Sequence, residues 1–98
     1  MGDRETMLAA LIGDCWDELG DAEKYARMAL AHKGMDEDAA DTFLALAKEE
    51  MGHYLRLHEL ALRRAKDAPE LAGVWAFENK RLARRMMEAQ AAIDCVRK

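Results

Sequence analysis

The chain predicts an all-α fold, a long antiparallel helical hairpin followed by a third helix, and three observations predict it. The 98 residues are rich in Ala, Leu, Met, Glu, Lys and Arg, with one proline and few β-branched side chains, which is the composition of long helices. Apolar residues recur at spacings of three and four in three successive runs. The runs are separated by only two breaks, at Gly34 and at Asp67-Ala68-Pro69.

The first helix is expected from about residue 3 to 33, on the recurrence of Leu8, Leu11, Cys15, Ala22, Tyr25 and Ala29. His32 and Lys33 complement the negative end of its dipole, and Gly34 supplies the left-handed residue that stops a helix. The second runs from about residue 36 to 66. Asp36 is its N-cap, Glu37 and Asp38 sit in its first turn, and its core stripe reads Phe43, Leu46, Glu50, His53, Leu57, Leu60. Proline restricts the residue before it and suits a first helical turn, so Pro69 marks the next start. The third helix, about 70 to 97, carries the seam Leu71, Trp75, Glu78, Leu82, Met86, Ala89, Ile93 and Val96.

One domain, residues 1–98, accounts for this length, and a chain so short buries little surface by itself. Three long rods leave one groove of a four-helix arrangement open, and a second copy is the expected filler. The net charge of −4 is spread over both signs, without the basic face that nucleic acid requires. No run approaches a membrane span, and Met1-Gly2-Asp3-Arg4-Glu5 is too charged to open a secretory signal. A cytoplasmic protein is expected, with Cys15 and Cys95 as reduced thiols and Cys15 packing as a small hydrophobe.

Two polar residues interrupt the second stripe: Glu50 and His53, three apart and therefore on one helical face. Glu18 lies sixteen residues before Gly34 and Glu50 sixteen after it, so a hairpin turning at Gly34 brings the three side chains to one height. A hard carboxylate set with one imidazole per ion suits iron or manganese better than structural zinc. A dinuclear bundle site needs twice this inventory, and a two-fold dimer supplies it, with two ions per dimer.

The segments Glu18-Leu-Gly-Asp-Ala-Glu-Lys-Tyr25 and Glu49-Glu50-Met-Gly-His53 resemble those of the ferritin-like superfamily, most closely short members such as encapsulated ferritins and rubrerythrin-like proteins. The resemblance covers roughly Leu11 to Arg64. It implies a ferritin-like fold, Glu18, Glu50 and His53 as metal ligands, Tyr25 as a nearby phenol that stabilises or gates the centre, and oxidation of Fe(II) at a site shared by two subunits. No self-built storage shell is expected of three helices, and no paired-cysteine electron-donor domain is present in the sequence.

Other readings compete for the same residues. Reflection of the third helix about Ala68 brings position 86 level with Glu50, which makes Arg85 a rival partner in a buried Glu-His-Arg layer without metal, the mark of a helical interaction module. Metal binding without turnover is a third reading. Glu78 is expected to pair with His58 or Arg81 rather than to ligate. Tyr25 packs in the core on its bland reading, His32 is a surface residue, and Asp14, Asp17 and Asp21 form a solvated acidic face beside Glu18. Met28, Met51, Met86 and Met87 fill gaps in the core.

Overall fold

The structure is a computed structural model describing residues 2–98. Helix α1 spans Asp3–His32 and α2 spans Glu37–Lys66; a 3-10 turn, Pro69–Leu71, leads into α3, Ala72–Arg97. Thirty residues at about 1.5 Å each make α1 and α2 rods of about 45 Å, and the molecule is accordingly elongated, 52 × 19 × 17 Å. The expected boundaries hold within a residue, except that the third helix opens with a 3-10 turn where proline lacks the N–H of a regular first turn.

Local chemistry sets the hairpin. The Asp36 carboxylate accepts from Ala39 N at 3.1 Å, capping α2, and the amides of Met35 and Asp36 return to His32 O at 3.0 and 2.9 Å. Gly34 takes φ +85°, the one positive φ among the described residues, where a side chain would crowd the following carbonyl. Gly34→Ala is expected to lower stability by about 1–2 kcal/mol, read as a lower urea midpoint with an unchanged m-value.

The core runs along Leu8, Ile12, Cys15, Leu19, Ala22, Ala26 and Ala29 of α1, meeting Ala40, Ala47, Met51, Tyr54, Ala61 and Ala65 of α2. This corrects the expected stripe of α2. Phe43, Leu46, Glu50, Leu57 and Leu60 are only half-buried and His53 is exposed, so they flank the seam. The reason is steric: small alanines let the two backbones approach, and the bulkier side chains move to the rim. Leu11 and Tyr25 of α1 are displaced to the same flank.

Helix α3 buries Trp75, Leu82, Ala89, Ile93 and Val96, as its spacing predicts. It meets α2 near the second turn, where His58 Nε2 lies 2.6 Å from Asn79 Oδ1 and the His58 ring sits between Tyr54 and Trp75, centroids 5.5 and 5.7 Å away. Beyond that point it follows α1. Arg4 donates to Asp67 O at 2.8 Å, and Lys33 Nζ donates to Val96 O at 2.5 Å, tying the start of α1 to the end of α2 and the end of α1 to the last turn of α3.

Candidate metal centre

Glu18, Glu50 and His53 converge as the turn at Gly34 dictates. One donor atom from each lies within 4.8 Å of the other two. His53 Nδ1 stands 3.4 Å from Glu18 Oε2 and 3.7 Å from Glu50 Oε1. Cis ligands around one ion with bonds of about 2.1 Å are about 3 Å apart, so small side-chain rotations bring the three donors to one metal. The same hairpin register stacks Tyr25 on Phe43, ring centroids 6.3 Å apart and planes at 17°.

The site differs from its expected setting in depth. It does not occupy a closed interior layer but the open flank of the α1–α2 hairpin: the side chains of Glu18, Glu50 and His53 are 25%, 19% and 52% exposed. Within that setting Glu18 Oε2 is shielded from solvent and lacks any hydrogen-bond partner among the described residues. A carboxylate oxygen withdrawn from water without a donor is costly, and a cation satisfies it directly.

The two carboxylates disturb each other. Glu50 is pushed up from 4.5 to about 7, first because Glu18 and Glu50 are placed to share a proton, then by burial and by the Glu18 charge; Asp21 adds to the rise and His53 opposes it. Glu50 therefore keeps its proton to a higher pH than a free glutamate, and a bound cation would compete with that proton. Burial likewise raises Cys15 to about 11, with Asp14 and Glu18 adding to the effect, so this thiol packs as the expected small hydrophobe and not as a thiolate ligand.

The rival partners are occupied elsewhere. The Arg85 guanidinium donates two hydrogen bonds to Glu23, at 3.1 and 3.3 Å, and that pairing, followed by the Arg85 and Arg27 charges against the opposing burial, holds Glu23 below its usual carboxylate range. The expected Glu50–Arg85 register fails because α3 leans onto α1 and meets Glu23, about one and a half turns beyond the Glu18 layer. Glu78 pairs with Arg81 at 3.3 Å, one of the two arrangements expected for it. Tyr25 lies two turns from Glu18, about 10 Å along the axis at 1.5 Å per residue, with Lys24 Nζ 5.0 Å over its ring. His32 also stacks on Phe43, centroids 5.6 Å apart, so it is half-buried rather than a free surface residue.

Comparison with protein-family models, with curated proteins and with solved structures gives no match. What defines the class of protein is therefore its own architecture: an all-helical chain that carries a carboxylate–histidine cluster on one side of a long hairpin. Among the described residues no helix is long and apolar enough to cross a membrane.

Proposed function

We propose that this chain is a ferritin-like iron-binding protein whose site, Glu18, Glu50 and His53, is completed by a second copy and oxidises Fe(II). The single observation that carries the reading is the convergence of three donor atoms within 4.8 Å around a buried Glu18 oxygen that accepts no hydrogen bond among the described residues. Three donors leave part of a coordination sphere open, and they lie on a flank bordered by half-buried Leu11, Leu46, Leu57 and Leu60. A two-fold contact across that flank covers the leucines and doubles the donors to four carboxylates and two imidazoles, which suits two ions.

Bound iron supplies the redox step, passing electrons to dioxygen or peroxide as Fe(II) becomes Fe(III); manganese fits the same donors. The chain supplies the rest. Glu18 and Glu50 balance the cationic charge in both oxidation states, His53 fixes one coordination position through Nδ1 or Nε2, and displacement of the Glu18–Glu50 proton couples binding to pH. Tyr25, at the end of the same flank, is the nearby phenol available to stabilise or gate the centre.

The test is anaerobic Fe(II) titration, then admission of air while ferric absorbance and bound metal are followed. Binding near one iron per chain is expected, lost in Glu50→Ala and in His53→Ala and unchanged in Arg85→Met, with oxidation faster than in buffer. Absence of binding would sink the reading and favour a polar layer that merely sets helix orientation. Binding without accelerated oxidation would leave a metal-holding protein that does not turn over.

A further inference from the structure

A second unpartnered face lies on the side of α1 turned away from Glu18. Gly13 and Gly20, seven residues apart, share one line of α1 with Trp16 beside them. The Arg81 guanidinium of α3 lies 5.2 Å over the Trp16 ring and 5.8 Å over Phe77, so the strip Phe77, Arg81, Arg84 runs alongside that line. Phe77 is 63% exposed and its neighbour Val74 54%, an apolar display that three helices leave uncovered.

The charges on this face are complementary to themselves. Arg81 and Arg85 are held by Glu78 and Glu23, whereas Lys80 and Arg84 form no ion pair among the described residues. Across the glycine line, Asp17 follows Gly13 by four residues and precedes Gly20 by three, and it too is unpaired among the described residues. Nothing lies within 4 Å of a Cβ built at Gly13 or Gly20. Without side chains at these two positions the α1 backbone is open to close approach by a neighbour.

The heights match a two-fold arrangement. Helices α1 and α3 run parallel, and the Trp16–Arg81 contact sets their offset, so Phe77 comes level with Gly13 and Arg84 with Gly20. An axis through the Trp16–Arg81 layer, perpendicular to the helices, lays Phe77 over the partner's Gly20, Arg84 over the partner's Gly13 and Lys80 level with the partner's Asp17, and reciprocally. We infer that the Trp16–Phe77–Lys80 face is a self-association surface whose occupant is a second copy of this chain, joined by two reciprocal Lys80–Asp17 pairs around a Phe77–glycine contact. The surface uses no residue of the metal cluster and is independent of the function proposed above.

Sedimentation velocity of the full chain in chelator tests it. Wild type is expected to dimerise. Lys80→Glu or Asp17→Lys alone should weaken the dimer at least about tenfold, and the doubly reversed variant should recover to within about threefold. Phe77→Ser, at an exposed position that leaves the helical circular dichroism unchanged, should weaken it comparably. The same association should persist in the Glu50→Ala/His53→Ala double variant. A wild type that stays monomeric in chelator, indifference to Lys80→Glu and Phe77→Ser, or loss of association in the double variant each overturns the proposal, the last by assigning the contact to the Glu18–Glu50–His53 flank. Failure of iron binding alone leaves these outcomes untouched.

Discussion

Glu50→Gln is expected to make the metal-free protein more stable at pH 8 and, under the proposed function, to abolish iron binding. Folding places Glu50 against Glu18, and its pKa rises from 4.5 to about 7. A carboxyl whose folded pKa exceeds its unfolded value binds more protons when folded, so its contribution declines as pH rises between those two values. Below about 4.5 both states are protonated and the pair costs nothing; above about 7 two like charges remain in contact. Glutamine removes the repulsion and offers an amide donor to the orphaned Glu18 oxygen. The gain at pH 8 is on the order of 1 kcal/mol, which for a chain of this size raises Tm by about 4–8 °C. Near pH 4.5 the variant and wild type should melt together. Added Fe(II) or Mn(II) should reverse the order, because only the wild type keeps the anionic pair that the ion stabilises. Thermal melts of both proteins in chelator from pH 4.5 to 8.5, repeated with metal under argon, decide it. A wild type more stable than Glu50→Gln at pH 8 in chelator contradicts the shared-proton geometry.

The convergence of Glu18, Glu50 and His53 was legible because it depends on one local event. Gly34 stops one helix, Asp36 caps the next, and equal arm lengths then fix Glu18 opposite Glu50 whatever the helices do elsewhere; the Tyr25–Phe43 stack obeys the same register. The seam of α3 was equally readable, since its buried positions, Ala89 apart, are large side chains at regular spacing. The face of α2 was not. Reading favours Leu46, Leu57 and Leu60 over Ala47, Ala61 and Ala65 because each leucine brings more apolar area, yet close helix approach selects the alanines. The lean of α3 was also hidden: its alignment with α2 holds at His58 and Asn79, and then Arg85 follows Glu23 across to α1. A reflection about Ala68 keeps track of height, but it carries no information on which neighbour a helix chooses.

That choice can be measured by truncating side chains on the two surfaces. Leu82 is wholly buried, as are Leu19 and Ile93, and it secures α3 to α1 at the level where Arg81 covers Trp16. Leu82→Ala removes three buried carbons and leaves a cavity that flanking helices fill only in part, so a loss of about 2–5 kcal/mol is expected. That is a large fraction of the about 5–15 kcal/mol that holds a domain together. Leu57, half-buried beside His53 on the open flank, is different. In dilute metal-free protein Leu57→Ala should cost about 1 kcal/mol or less, since much of its area is already in water. With iron bound, the proposed two-fold contact withdraws that area from solvent, and the same substitution should become several-fold more costly and dependent on protein concentration. Urea unfolding of both variants at two concentrations, with and without Fe(II) under argon, separates the cases. A Leu57→Ala penalty indifferent to metal and concentration would show that no second copy covers the flank, and the cluster would then hold at most one ion through three protein donors.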